Sequence, residues 1–409
     1  MLKFISKTGL LAFVAGALLM AASGNASAKV EGDTIILGAA VSLTGKYSTN
    51  GKNTKDGYDL AVQRINEKGG VKVGGKSYKL KIVYYDDEST PARAAQLAER
   101  LINQDGVKFM LGPYSSGLTT AIVPVTEKYK IPMVEGNGAA LSLFNKGYKY
   151  LFATLSTTEY YLKSAVELMA EQATKIGKKP SQVTIAMAFE NDPFSRDVRS
   201  GVIEDAKKHG MKIVIDDKLP PELNDMAATL TKVKAIKPDL LVVSGHAKGA
   251  TLAVRQTAEM KVRTPMMATT HCDSAKVAET MPAQAEGFLC ASQWDSSLKY
   301  SDKLFGSAAD YAKIFEKTYK YAPPYQAAES TAAVQVFVDA FQRCQCFDTE
   351  KLRDALAATD MQTFYGPIKF DKTGKNIAKP MILYQVQTGE YRVVAPSKWA
   401  ETKVDFPLE

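Results

Sequence analysis

The sequence predicts an α/β protein built as two doubly wound lobes, each a largely parallel sheet wrapped by helices. Two observations predict this. Short β-branched runs alternate with amphipathic helical stretches, which is the βαβ pattern of a parallel sheet. The series then restarts about midway, so a second unit of similar length follows the first. Length agrees: without residues 1–28 the chain keeps 381 of its 409 residues, and a single core stops growing near ~250–300 residues.

In the first unit, Thr34 to Leu43 reads as a buried strand, and Thr54 to Glu67 as a helix with Leu60, Ala61 and Ile65 at helical spacing, ended by Gly69-Gly70. Tyr78 to Tyr85 is a strand, and Ala92 to Gln104 a helix with Pro91 at its start. Lys108 to Leu111 (strand), Thr119 to Tyr129 (helix) and Ile131 to Val134 (strand) complete the unit. The second opens on a long helix over Ser156 to Gln172. Strands are predicted at Thr184 to Phe189, Lys212 to Asp216, Leu240 to Val243 and Pro265 to Thr269. Helices between them cover Ser195 to His209, Met226 to Ile236 and Gly249 to Met260. The remainder, helices Asp302 to Tyr321 and Tyr325 to Cys344 and strands Gly366 to Phe370 and Lys379 to Val386, is too small for a third domain and is expected to complete both lobes.

The first residues bear on compartment. Lys3 and Lys7 precede an apolar run from Thr8 to Ala22, and Ala26-Ser27-Ala28 is a small-x-small cleavage pattern. Residues 1–28 therefore read as a secretory signal peptide, with a mature chain starting at Lys29 in the periplasm. The run falls short of the roughly 20 residues of a membrane span, and no Cys follows it to carry a lipid. The net charge of +8 falls to +6 without Lys3 and Lys7. The surplus is scattered over helix faces and forms no basic stripe with interleaved aromatics, which argues against nucleic acid.

Export favours disulfides, and Cys272, Cys290, Cys344 and Cys346 allow three pairings. Cys344 and Cys346 read as free, being too close in sequence for an easy bridge. His271 beside Cys272 fits no zinc spacing.

In open parallel sheets, ligands sit beyond the carboxyl ends of the strands. Two facing lobes bring those ends to one cleft, so the loops after the strands are the candidates. In the first lobe these are Ser42 to Gly51, with Tyr47 and Asn50; Gly112 to Gly117, with Tyr114, Ser115 and Ser116; and Glu135 to Ala140, with Asn137, Gly138 and Ala139. Ser115 and Ser116 open directly into a helix, whose N-terminal N–H groups suit a carboxylate. Ser116 could equally be a plain helix cap. The second lobe offers Asn191 to Ser195, with Phe194; Ser244 to His246; and Thr270 to Asp273, with His271. Phe194 and His246 are placed to stack on or bond a ligand. Tyr160 joins the set from the start of the second unit.

These residues resemble a known family. Ile36 through Gly70, with its Ser42-Leu43-Thr44-Gly45 loop and the stretch Gly51 to Asn66, is similar to the leucine/isoleucine/valine-type periplasmic binding proteins. Tyr85-Asp86-Asp87-Glu88-Ser89-Thr90-Pro91, Leu111 to Ser116, Asn191 to Ser195 and Tyr365 to Asp371 match that family as well. The resemblance covers nearly the whole mature chain. It implies a type I periplasmic-binding-protein fold with three crossovers: lobe one from residues 29–155 plus 292–370, lobe two from 156–291 plus 371–409. It implies a Cys272–Cys290 disulfide, no cofactor, and a monomer serving the permease of an ABC importer. It also implies a ligand carboxylate held by Tyr114, Ser115 and Ser116 and by Asn137 to Ala139. The acidic residue that usually meets an amino-acid ammonium is replaced by Thr270 and His271. The expected ligand is therefore an aromatic or hydroxylated acid, with a branched-chain amino acid as the other candidate.

An enzyme is not expected. Gly136-Asn137-Gly138 lacks the third glycine of a dinucleotide loop, Gly112 to Gly117 is no nucleophile elbow, and neither a P-loop nor a His-x-x-x-His pair occurs. A sensor of the same fold, which signals rather than delivers, is the alternative; neighbouring permease and ATPase genes would favour transport.

Overall fold

The computed structural model describes residues 30–221 and 223–408. The predicted signal peptide lies outside them. No helix among the described residues is long and apolar enough to cross a membrane.

The first sheet is built on strands β1 (Thr34–Val41), β2 (Lys76–Asp86), β3 (Met110–Leu111), β4 (Met133–Glu135) and β5 (Leu151–Ala153). Their order is β2-β1-β3-β4-β5, all parallel, with Val71–Val73 added antiparallel at the β2 edge and Val30–Glu31 paired to β1. The second sheet uses β6 (Thr184–Glu190), β7 (Lys212–Leu219), β8 (Leu240–Ser244), β9 (Met266–Thr270), β10 (Leu289–Ser292), β11 (Ile382–Gln387) and β12 (Glu390–Ala395). Its order is β7-β6-β8-β9-β10-β11-β12, parallel through β10 and antiparallel in the last two strands. Central strands such as β1 and β8 are buried on both faces, which is why they read as continuous apolar runs without alternation.

Helices cover the faces. In α1 (Ser48–Glu67) the buried set includes Gly57, Leu60, Ala61 and Ile65. In α2 (Pro91–Asn103) it is Ala94, Leu97, Ala98, Leu101 and Ile102, the i, i+3, i+4, i+7, i+8 stripe of a helix with one face on a core. The helices that bear on the cleft are α3 (Ser116–Lys128), α4 (Pro193–Lys208), α5 (Ala247–Glu259) and α6 (Tyr325–Cys344). Helix α6 is buried without a break from Tyr325 to Phe337. It presses so closely on α1 that a Cβ on Gly57 would stand 2.2 Å from the Ala327 carbonyl oxygen.

The chain passes between the sheets three times, near Ser156, Gln293 and Lys379, and these passages are tied to one another. Ser156 N–H donates to Gln293 Oε1 at 3.1 Å, Gln293 Nε2 donates to the Ser156 carbonyl at 2.8 Å, and Lys379 Nζ donates to the Gln293 carbonyl. Burial pushes the Lys379 ammonium down to about 7, against the opposing charge of Glu329.

Three expectations need correction. The helix predicted over Ser156 to Gln172 is a crossover, a single 3-10 turn (Thr158–Tyr160) and then a helix from Lys163 to Gln172. The Ser-Thr-Thr run at 156–158 disfavours helix through its hydroxyls and β-branching. The helix predicted from Asp302 starts at Ala308, after a small hairpin of Ser301–Asp302 and Gly306–Ser307, with Ser307 and Asp310 forming a capping box. Finally, Cys344 and Cys346 are not free: they are bonded, with Cα atoms 5.2 Å apart. Gln345 between them takes φ 52°, and a Cα separation of 5.2 Å lies within the range a bridge needs.

Cys272 and Cys290 form the other disulfide, across the ends of neighbouring strands β9 and β10, with Cα atoms 5.8 Å apart. The bridge spans 18 residues, and both cysteines are buried. Replacing both by Ser is expected to lower the unfolding free energy by about 3 kcal/mol through the freed unfolded chain. Urea unfolding of the oxidised protein and the variant measures it.

Candidate functional site

Both sheets follow one winding order, in which the second strand stands outside the first and the third stands on the other side. The winding reverses between β1 and β3 in one sheet and between β6 and β8 in the other, and such switch points open a crevice at the strands' carboxyl ends. The loops leaving those four strands carry Tyr47, Tyr114 and His246, and Phe194 stands on the first turn of α4 directly after β6.

The structure brings these side chains into one buried cluster. Tyr47 lies 4.8 Å from the His246 ring and 5.5 Å from Tyr114. Phe194 lies 5.5 Å from His246 and 5.0 Å from His271. The Tyr114 hydroxyl, from the first lobe, joins two rings of the second: it is 2.8 Å from His246 Nδ1 and 3.0 Å from His271 Nε2. On its other side, His246 Nε2 is 2.7 Å from Asp192 Oδ2. Asp192 caps α4 by accepting from Ser195 N–H at 2.8 Å.

Charge follows from this arrangement. Burial opposes the His246 imidazolium, but the charge and hydrogen bond of Asp192, with Glu190 behind it, outweigh burial and raise its pKa above 6.5. The same pairing outweighs burial at Asp192 and holds its carboxyl below 3.8. Burial, with the His246 charge beside it, pushes His271 down to about 3, so this ring is neutral. Glu190 lies 3.9 Å from Lys46. Glu190, Asp192 and His246 offer ligand atoms within 4.8 Å of one another, but their hydrogen bond and charges already engage each other and Lys46.

The first-lobe turn is built on strain and on a buried acid. Ser115 takes φ 80° and ψ 143°, a region that costs a non-glycine residue about 1–3 kcal/mol. Its hydroxyl accepts from Leu118 N–H at 3.4 Å, closing the first turn of α3. Ser116 Oγ accepts from Ala140 N–H at 3.0 Å, so this side chain ties the α3 turn to the loop carrying Asn137, Gly138 and Ala139. Glu135 lies beneath both loops. It accepts from Thr119 Oγ1 at 2.8 Å and from Asn137 N–H, and burial pushes its carboxyl up to about 7. A Cβ on Gly138 would stand 2.4 Å from Thr119 Oγ1 and 3.0 Å from Glu135, so only glycine fits. Across the cleft, Gly117 at the start of α3 faces Pro193 at the start of α4. The N-termini of α3 and α4 therefore oppose each other, and α5 begins directly after His246.

Two of the predicted residues have other surroundings. Tyr160 is 44 % exposed and lines a separate recess of about 420 Å³ with Lys163, Lys379 and Pro380. Tyr161 is the buried ring, 5.0 Å from Phe194. Thr270 spends its hydroxyl on backbone, donating to the Gly245 carbonyl at 2.7 Å. Asn50 is buried on the first turn of α1, and its Nδ2 has no partner. Sequence reasoning missed Asp192 as the partner of His246, and missed Tyr161 and Tyr325. The first sat in a loop already singled out, and an acidic residue before a Pro-opened helix is itself a cap signal. Tyr325 comes from α6, which no strand-end rule indicates, and its ring lies 6.1 Å from His271. A recess of about 720 Å³ between the lobes is lined by Thr49, Asn53, Asp273, Lys276, Tyr321 and Pro324.

Two wound lobes, three tied crossovers and a buried polar and aromatic cluster at facing switch points define a two-lobed binding protein with its site between the lobes. The chain belongs to the periplasmic binding protein family, whose model matches residues 12–390. This is a family of solute receptors, not enzymes, and it works in the periplasm. The chain is 25 % identical over 360 residues to a leucine-, isoleucine-, valine-, threonine- and alanine-binding protein of Pseudomonas aeruginosa, covering 87 % of this chain and 90 % of that one. It is similar in fold to an isoleucine-bound branched-chain amino acid transporter substrate-binding protein of Streptococcus pneumoniae, with TM-score 0.75, 22 % identity and coverage of 89 % of this chain and 100 % of that one. An ABC transporter solute-binding protein of R. palustris in complex with benzoate is equally similar, with TM-score 0.75, 20 % identity and coverage of 88 % and 95 %.

Proposed function

We propose that this protein is the monomeric receptor of an ABC importer, capturing a small organic carboxylate between its lobes and presenting the closed form to a membrane permease. The observation that carries the reading is the α3 turn: a strained Ser115 and a buried Ser116 at a helix N-terminus, opposed across the cleft by the N-terminus of α4 and the His246 imidazolium. Ring walls from Tyr47, Tyr161 and Phe194 favour an aromatic acid. Relatives that bind amino acids and a structural neighbour that holds benzoate support the carboxylate class. The lobes of this reading run 29–155 plus 292–370 and 156–291 plus 371–409, and the ligand bridges them. Closure needs a ligand with differential affinity for the closed state, about 5.5 kcal/mol for a near-complete switch.

Mass spectrometry of the material released when the purified protein is denatured tests the proposal. A stoichiometric organic acid is the expected result. A neutral sugar or a metal ion released in its place overturns it.

A further inference from the structure

Helix α6 begins without a cap of its own. The residue before it is Pro324, and no side chain at that position bonds the first turn. A helix leaves its first N–H groups without partners inside the helix. The first of them, Tyr325 N–H, is met from the other lobe: it donates to Asp273 Oδ2 at 3.3 Å. Asp273 stands in the helical turn Cys272–Ala275 that follows β9 in the second sheet. Helix α6 lies against α1 of the first lobe, with the Ala327 carbonyl at Gly57. The cap therefore crosses from one lobe to the other.

Both sides of this contact are fixed. Asp273 Oδ1 accepts from Ser274 N–H at 2.8 Å, and the Cys272–Cys290 disulfide staples the neighbouring residue to β10. Just before α6, the Tyr321 hydroxyl lies 3.1 Å from Asn53 Oδ1 and 2.8 Å from Asp56 Oδ2, both on α1. A second contact crosses the same gap, since Lys276 Nζ lies 4.8 Å from the centre of the Tyr321 ring. Asp273, Lys276, Tyr321 and Pro324 all line the recess of about 720 Å³ between the lobes. The bridge thus spans an open gap and belongs to neither core. Elsewhere the lobes also touch directly, Ser142 N–H donating to Asp197 Oδ2 at 2.8 Å.

We infer that Asp273, with Lys276 beside it, is a latch of the closed state: its carboxyl caps α6 across the cleft, a bond made when the lobes meet and lost when they part, and it holds part of the cargo-free protein closed. The inference rests on the reading of a closing cleft and adds a residue that acts apart from the cargo. Asp273 is thereby a positioning residue. Apparent affinity scales with the fraction of protein in the competent state, so the latch sets how strongly every cargo is held and not which cargo is chosen.

Three measurements on the full protein stripped of bound material test it: small-angle X-ray scattering, hydrogen exchange in the first turn of α6, and calorimetry with benzoate and leucine. Asp273→Ala should enlarge the radius of gyration and speed exchange of the Tyr325 amide about tenfold, the worth of one hydrogen bond. Affinity for whichever probe the parent binds should fall about tenfold as well, and if both bind, the ratio between them should hold within about twofold. Asp273→Asn keeps an oxygen that caps helices equally well, and should restore most of each property. Lys276→Ala alters only an exposed side chain and should shift the same properties in the same direction by a smaller factor. An unchanged radius in Asp273→Ala overturns the inference even if exchange quickens, because the cap would then be a local matter; the cleft reading stands. A fall in affinity for one probe alone makes Asp273 a cargo contact and overturns the latch too. If the parent binds neither probe, that bears on the carboxylate reading, and scattering and exchange decide the latch without it.

Discussion

His246→Phe is expected to destabilise the protein by about 3–5 kcal/mol, the usual cost of removing one member of a buried ion pair. The ring volume is kept, so the loss comes from charge and hydrogen bonding. Asp192 would retain the Ser195 N–H but lose its cation, in a site where burial alone raises a carboxyl pKa. Tyr114 would lose the donor at 2.8 Å. The pH profile separates this cause from poor packing. His246 has a raised folded pKa, so its contribution is complete below 6.5 and is lost as pH rises through the folded value. Asp192 has a lowered one, so its contribution is complete above 3.8 and is lost as pH falls through the folded value. The parent should therefore show a stability plateau between those limits. The variant should lack the alkaline fall due to His246, and the acid limb due to Asp192 should shrink or reverse, because burial without the imidazolium raises the folded pKa of that carboxyl. Urea unfolding across that range measures both. Equal loss at every pH would mean that the ring's packing, and not its charge, holds the site.

Much of this site follows from rules that act locally. Tyr47, Tyr114, Phe194 and His246 were legible because strand ends in a doubly wound sheet must face a cleft, and the strands announce themselves by β-branched runs. Helix α6 was legible in both bounds, Tyr325 and Cys344, since Pro324 starts it and the small-residue run has one period. What escaped depended on distance in the chain. The Asp192–His246 pair joins residues 54 apart, and Tyr325 comes from α6, a third segment returning to the first lobe. Tyr160 and Tyr161 differ by one position, and which ring turns inward depended on a 3-10 turn that the sequence read as regular helix. Cys344 and Cys346 were misread because closeness in sequence was taken to oppose a bridge, whereas alternate residues in a helical turn already stand about 5.4 Å apart, within bridging range.

The α3 turn permits a substitution that separates binding from folding. Ser116→Asp puts a carboxylate at the first position of α3, where the helix dipole and the free N–H groups favour it. The protein is therefore expected to stay folded, with any change in its melting point small beside the change in binding. A ligand carboxylate would then meet a fixed negative charge in the same buried turn, and like-charge juxtaposition costs several kcal/mol. Affinity for any carboxylate ligand should fall by more than about a hundredfold. Ser116→Ala calibrates the effect: it removes a hydroxyl and the tie to Ala140 N–H, and should weaken the same ligand by about 1–3 kcal/mol. Calorimetry on the three proteins gives the series, and the order parent, Ala, Asp in affinity is the signature of an anion held on this turn. Undiminished binding in the Asp variant would mean that the carboxylate sits elsewhere in the cleft, and the serine turn would then be only a hinge between two loops.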